Sequence, residues 1–122
     1  MPAPSQDLAG TNWRLLELRP PDGGAKVLPT TPDQYTLRFG ADGRLAAQLD
    51  CNRGNGVFSV GPAQRLTLGP LASTRMMCPP SPLGARLPRE IEGENGYRIE
   101  GGQLHIEAAD KAGVYVWERS AQ

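Results

Sequence analysis

Short runs in which apolar and polar residues alternate recur along most of this chain. In the clearest case, Tyr35–Phe39 alternates, Gly40–Gly43 has the composition of a hairpin turn, and Leu45–Cys51 alternates again. A side-chain period of two is that of a half-buried β-strand, and Asp-Gly tolerates the positive φ angles of a tight hairpin turn. This segment therefore predicts two antiparallel strands joined by a short turn.

Further runs of the same kind predict the remaining strands: Thr11–Leu18, Val57–Val60, Leu66–Leu68, Leu71–Cys78, Tyr97–Glu100, Leu104–Ile106 and Val114–Arg119. The segments Asn52–Gly56, Gly93–Gly96 and Asp110–Gly113 have turn composition and separate these strands. The chain contains 15 Gly and 12 Pro among 122 residues, which disfavours long helices because Gly weakens a helix interior and Pro breaks it.

A single helix is predicted after the middle of the chain. Ser81-Pro82 offers an N-cap followed by proline at the first helical position, and Leu83, Leu87 and Ile91 recur at helical spacing. Pro88 is expected to shorten this helix to at most about three turns.

The length of 122 residues fits one domain. We expect a disordered N-terminal segment at 1–7, a single domain at 8–119 and a C-terminal tail at 120–122. The predicted fold is mainly β: a compact antiparallel, barrel-like structure of seven to eight strands with one short helix packed on it.

Two cysteines, Cys51 and Cys78, are the most informative pair of side chains. If they are joined, they close a loop of about 28 residues, which stabilises the fold by roughly 3.6 kcal/mol in the chain-entropy model. A disulfide favours an oxidising compartment; the alternative is two separate buried thiols in a cytosolic protein.

The charge composition excludes several classes of partner. Thirteen basic and thirteen acidic side chains give a formal net charge of zero, so the chain lacks the uniform basic field of a nucleic-acid binder. It contains no apolar stretch of 18 residues that could span a bilayer as a helix. One His and two Cys do not supply a closed zinc site, and we expect no metal and no cofactor.

No catalytic set is evident. His105 is the only histidine, and because it stands between inward-facing Leu104 and Ile106 it is predicted to point to solvent. An enzyme would need Asp50, Arg75 or His105 to converge in one cleft. We therefore expect a protein that is not an enzyme.

Polar residues beside the two cysteines form a possible binding surface: Asn52, Ser73, Thr74 and Arg75. Hydroxyl groups next to a guanidinium can bind an anion, although ordinary surface polarity explains the same residues. Asp50 and Asn52 are interpreted first as turn-stabilising residues.

Aromatic residues on the inward faces form a possible ligand lining: Trp13, Tyr35, Phe39, Tyr97 and Trp117. The same residues would serve to fill a small core. An eight-stranded barrel either is filled by its side chains or holds one small ligand, so the sequence leaves both interpretations open.

Three stretches together resemble the META/HslJ domain family. They are Leu8–Leu15, which reads L-x-G-T-x-W-x-L; Leu37–Leu45 leading into Cys51-Asn52; and Leu66–Pro79, which contains A-S-T-R-M-x-C. The resemblance extends from Leu8 to Glu118, and the Cys-Asn and A-S-T-R-M-x-C pieces at this separation carry most of it. The family helix is usually longer than the one that Pro88 allows here.

The resemblance implies a compact antiparallel β structure with one helix, in agreement with the strand pattern. Family members are commonly exported, often as lipoproteins, and are associated with heat shock, novobiocin tolerance and, in parasites, virulence. The resemblance thus implies a stress-associated protein of the periplasm or cell envelope, with a signal segment removed before Met1 and a lipid anchor in the full-length protein. We also expect the protein to be a monomer. It would bind an envelope protein; the alternative is a carrier of a lipid or small apolar ligand, like a lipocalin or secretin-pilot barrel.

Overall fold

The computed structural model of the protein describes residues 8–84, 86–108 and 113–120. The predicted disordered segment 1–7, most of the turn Asp110–Gly113 and residues 121–122 of the tail lie outside these ranges. The described elements are β1 (Thr11–Arg19), β2 (Tyr35–Phe39), β3 (Arg44–Leu49), β4 (Asn52–Gly61), β5 (Arg65–Leu68), β6 (Ala72–Ser73), α1 (Leu87–Ile91), β7 (Gly93–Glu100), β8 (Gln103–Glu107) and β9 (Val114–Arg119).

Eight of the strands close into a barrel. Their hydrogen-bonded order is β3-β2-β1-β9-β8-β7-β5-β4, and pairing of β3 with β4 completes the ring. All the pairings are antiparallel, and β6 adds a short ninth strand beside β4. Closure pairs both edges of the sheet, which removes the exposed strand edges that promote aggregation. The predicted mainly β, barrel-like fold is confirmed.

The hairpin of β2 and β3 follows its sequence pattern. Tyr35, Leu37 and Phe39 are paired with Leu49, Ala47 and Leu45, and all six side chains are buried in the interior. Phe39 also meets Phe58 of β4 edge to face, with ring centroids 4.8 Å apart. Strand β1 is less regular, because a bulge between Leu15 and Glu17 changes the alternation and buries Leu18.

The predicted start of the helix is wrong. Helix α1 begins at Leu87 with Arg86 as its N-cap, and Pro88 lies in the first turn, where its missing N–H costs no hydrogen bond. Leu83, Leu87 and Ile91 are buried as their spacing predicted. No helix of the described residues is long and apolar enough to cross a membrane.

The interpretation of Asn52–Gly56 as a turn is also wrong, because this segment is the first half of β4. Gly54 and Gly56 lie on the same side of β4 as buried Phe58. A Cβ atom on Gly54 would stand 3.2 Å from the Leu71 Cβ, and one on Gly56 would stand 2.9 Å from the Pro70 carbonyl oxygen. The lack of side chains at Gly54 and Gly56 therefore allows Pro70 and Leu71 to lie directly against β4, and the two glycines do not form a turn.

Two other boundaries differ from the sequence prediction. Gly93–Gly96 belongs to β7, since it pairs with Arg65–Leu68 of β5, and the turn residue Gly93 takes a φ of 95° there. The predicted strand Leu71–Cys78 is limited to Ala72–Ser73, because β4 offers only Gly54 and Asn55 as partners.

The predicted solvent exposure of His105 is wrong, because its side chain is only 4% exposed. Its register partner on β9, Val116, is completely buried. Alternation identifies the face that a side chain takes, but it does not reveal whether that face is covered. Burial is the main reason that the pKa of His105 is lower than usual, and the positive charges of Arg98 and Arg19 lower it further.

Candidate functional site

Residues 72–78 form a strap that runs beside the first half of β4. The strap begins as β6, where Ser73 pairs with Gly54 and Ala72 with Asn55. It ends at Cys78, which forms a disulfide with Cys51 across a sequence separation of 27 residues, with the two Cα atoms 5.6 Å apart. The disulfide interpretation of the two cysteines is confirmed.

Asn52 fixes the middle of the strap with its side-chain amide. Its Oδ1 accepts hydrogen bonds from the Thr74 hydroxyl at 2.8 Å and from the Met76 backbone N–H at 2.7 Å. Its Nδ2 donates to the Met76 carbonyl at 3.1 Å and lies 3.4 Å from the Cys78 Sγ. Asn52 thus uses both ends of its amide within the chain.

Thr74 joins the strap to the next residue of β4. The Arg53 N–H donates to the Thr74 Oγ1 at 3.0 Å, and the Thr74 N–H donates to the Arg53 carbonyl at 2.9 Å. Of the four residues predicted as a binding surface, Asn52 and Thr74 therefore hold the strap in place, whereas Ser73 and Arg75 are exposed on it.

The tip of the strap carries side chains that make little contact with the barrel. Met77 is 98% exposed and Met76 is 58% exposed. The exposed guanidinium of Arg75 has no ion-pair partner among the described residues. Sequence reasoning missed the two methionines; the available signal was an apolar pair inside a polar run that lacks strand alternation.

A polar network surrounds Asp50, the residue before Cys51. Asp50 adopts a φ of 64° in the turn before Cys51, and its Oδ1 accepts from the Gln34 amide at 3.0 Å. Its Oδ2 lies 3.4 Å from the Ser81 hydroxyl, which is 3.1 Å from the Tyr35 hydroxyl. Burial raises the pKa of Tyr35, so this phenol stays protonated as a hydrogen-bonding group. Ser81 takes part in this network instead of capping the helix.

The three residues considered for catalysis do not share one element of the barrel. Asp50 lies between β3 and β4, and Arg75 is on the strap beside β4. His105 is on β8, which is four strands away from β3 in either direction around the ring.

The five aromatic residues considered as a ligand lining all lie in the buried core: Trp13, Tyr35, Phe39, Tyr97 and Trp117. Trp13 donates from Nε1 to the Thr11 hydroxyl at 2.8 Å, and the Arg119 guanidinium stands 5.0 Å from its ring centroid. The Nε1 of Trp117 has no hydrogen-bond partner among the described residues.

Three grooves, with volumes of about 720, 550 and 380 Å³, open on the outside of the described structure. Of the five core aromatic residues, only Trp13 contributes to one of them.

Comparison with known proteins gives a consistent result. The family model of the META domain matches residues 6–121. A search of curated proteins finds no match. Two solved structures have the same fold. One is titled an NMR structure of the protein, with 21% identity, a TM-score of 0.67, and coverage of 97% of this chain and 95% of that one.

The other is the crystal structure of a DUF4847 family protein from Bacteroides vulgatus. It has 12% identity and a TM-score of 0.66, with coverage of 97% of this chain and 98% of that chain. At these identities the two likenesses establish the fold alone.

Proposed function

Since the chain belongs to the META domain family and contains an intramolecular disulfide, we propose that it is a non-enzymatic protein of the cell envelope that binds a protein partner through the tip of its strap. Disulfides persist in oxidising compartments such as the periplasm, and the Cys51–Cys78 link fits such a location. The proposal includes a stress-associated role and, in the full-length protein, a lipid anchor.

The nearly complete exposure of Met77 is the observation that carries this proposal. Contact between an apolar Met side chain and water is unfavourable, so burial of that side chain in a partner contributes favourable free energy to binding. Methionine adapts its shape to irregular apolar pockets, which suits it to a binding surface.

The strap is already held in one conformation before any partner arrives. The disulfide fixes one end, Asn52 fixes the middle, and β6 fixes the start. Ordering a flexible loop upon binding costs free energy, and a fixed loop avoids much of that cost. The strap is therefore suited to present its tip as a rigid anchor.

The chemistry of the tip defines the kind of partner. Met76 and Met77 fit an apolar pocket. The Arg75 guanidinium, which has no ion-pair partner in the part of the chain that the structure describes, fits a carboxylate at the rim of that pocket. The alternative function, a carrier of a lipid or small apolar ligand, gains no support from the geometry, because the five aromatic side chains pack in the core cluster.

Site-specific photo-crosslinking in cells tests the proposal. A photoreactive residue replaces Met77 in one variant and Leu28 in a control; Leu28 is a second exposed apolar residue, 60% exposed, and is not part of the strap. We expect a discrete crosslinked protein at position 77 that is absent at position 28, and we expect Arg75→Glu to reduce its yield. Equal products at both positions, or none at position 77, would contradict the proposal.

A further inference from the structure

A groove of about 720 Å³ runs across the outside of β1, β2, β3 and β4, apart from the strap tip. Its lining residues come from the same level of the four strands, where Trp13, Leu37, Ala47 and Gly54 form a row of register partners. Those inward-facing residues belong to the barrel wall. The outward side chains on either side of this row therefore decide what the groove can bind.

The strand registers place these outward side chains in two rows. Arg14, Thr36, Gln48 and Arg53 form the first row, while Asn12, Arg38, Ala46 and Asn55 form the second. The short side chain of Ala46 leaves space between Arg38 and Asn55.

The charges in the groove are not balanced. Arg14 is compensated, because its guanidinium lies 2.5 Å from Glu118 and 3.5 Å from Asp33. Among the described residues, the Arg38 guanidinium has no ion-pair partner, and it donates to the neutral Asn12 side chain at 3.2 Å. Arg53 contacts the strap through its backbone, and its guanidinium has no ion-pair partner among the described residues.

The spacing of the two uncompensated arginines favours a long ligand over a small one. Arg38 and Arg53 are two strands and two residues apart, so their Cα atoms are separated by about 12 Å. The groove of about 550 Å³ next to it also contains Arg38, Ala46 and Asn55, so the two grooves are continuous. A single small anion would contact one end of this surface, whereas an extended chain would contact both arginines.

We propose that this outer groove binds an extended acidic peptide segment of a protein partner, at a site separate from the strap tip. Residues four apart in an extended chain are about 13 Å apart and have their side chains on the same face, which is close to the spacing of about 12 Å between the Cα atoms of Arg38 and Arg53. Peptide groups passing over Ala46 need a donor and an acceptor, and the Asn55 amide supplies both.

Fluorescence polarisation with a labelled (Glu-Ser)5 peptide tests this site in the purified, oxidised protein. We expect binding that weakens with added salt, since exposed charge pairs are screened. The double variant Arg38→Gln/Arg53→Gln should bind at least tenfold more weakly. The control Arg65→Gln/Arg89→Gln removes the same charge at two exposed positions outside this groove and outside the strap, and we expect it to bind within twofold of the unmodified protein.

Amide chemical shifts of the unmodified protein provide a second measurement that needs no variant. Addition of (Glu-Ser)5 should shift the amides of Ala46 and Asn55 and leave Met77 unchanged, while (Gln-Ser)5 should shift none of them. Failure of (Glu-Ser)5 to bind, equal loss in both double variants, or binding of an alginate oligomer in place of the peptide would overturn the proposal. Each of these results would leave the strap-tip function to be judged by its own crosslinking experiment.

Discussion

The barrel wall and the strap are stabilised in opposite ways. The wall buries large apolar side chains from all eight of its strands, including Trp13, Leu66 and Leu104. Residues 72–77 of the strap are exposed, and the strap is held by two residue pairs with β4, the Asn52 amide and the disulfide at Cys78. Burial acts over a whole surface, whereas hydrogen bonds and a covalent link act at single atoms. A substitution in the strap should therefore have a local effect, whereas a substitution in the wall should destabilise the whole barrel.

Truncation of a large apolar side chain should give the largest contrast between the two regions. Leu104→Ala empties part of the core and should lower the free energy of unfolding by about 3–4 kcal/mol. Met77→Ala, at the strap tip, should change it by less than about 0.5 kcal/mol. Urea denaturation of both variants measures the difference, and similar losses would show that the tip packs against the barrel.

Removal of the disulfide should have the next largest effect. The double variant Cys51→Ser/Cys78→Ser should lose about 3 kcal/mol of stability against urea, because the unfolded chain is no longer constrained. Its far-ultraviolet circular dichroism should stay unchanged, because the strand pairs of the barrel do not include this bond. Thiol titration of the unmodified protein, unfolded without reductant, should detect no free cysteine.

The amide of Asn52 should determine whether the strap remains docked. Asn52→Ala leaves the Met76 N–H and the Thr74 hydroxyl without their acceptor and should cost about 2 kcal/mol. Hydrogen exchange should accelerate at Thr74 and Met76 and stay slow at Leu104. Asn55→Ala, on the same strand, is the control. Unchanged hydrogen exchange in Asn52→Ala would mean that the disulfide and β6 are sufficient to keep the strap docked.

The two tryptophans test whether hydrogen bonding also matters inside the wall. Trp13→Phe loses the bond from Nε1 to Thr11 as well as ring volume, whereas Trp117→Phe removes an indole N–H that has no described partner. Trp13→Phe should therefore be more destabilising by about 1 kcal/mol. Thermal unfolding measures the difference, and the reverse order would indicate a buried water at Trp117.

A change of pH should affect the wall through His105 and leave the strap docked. Because burial lowers the pKa of His105 below its ordinary 6.5, the unfolded state binds a proton first as the pH falls. Stability should therefore decrease from about pH 6.5 towards pH 5, and His105→Gln should flatten this dependence. The only ionisable side chain in the strap outside the disulfide is Arg75, so Asn52 should still protect the Met76 amide at pH 5.

Local patterns predicted much of the wall. The Tyr35–Leu49 hairpin, the final strand and the buried spacing of Leu83, Leu87 and Ile91 were evident from period and turn composition. The prediction failed for Asn52–Gly56, because glycine that permits a close approach and glycine that permits a turn look the same in a sequence.

The candidate site was predictable only in part. The sequence indicated that the residues around Cys51 and Cys78 belong together, and the disulfide confirms it. It did not reveal that Asn52 and Thr74 direct their polar atoms inward to the strap while Met77 is left exposed. That distribution depends on contacts between residues more than 20 positions apart.

The sequence by itself determined the strands and their inward faces, because side-chain alternation is a local property of the chain. Only the tertiary structure decided that the first and last strands, β1 and β9, pair within one closed barrel, that the face around His105 is covered, and that Arg38 and Arg53 line one groove. These outcomes depend on the registers of strands that lie far apart in the chain. Register follows from how a whole set of side chains fills one interior, and no short window of sequence contains that information.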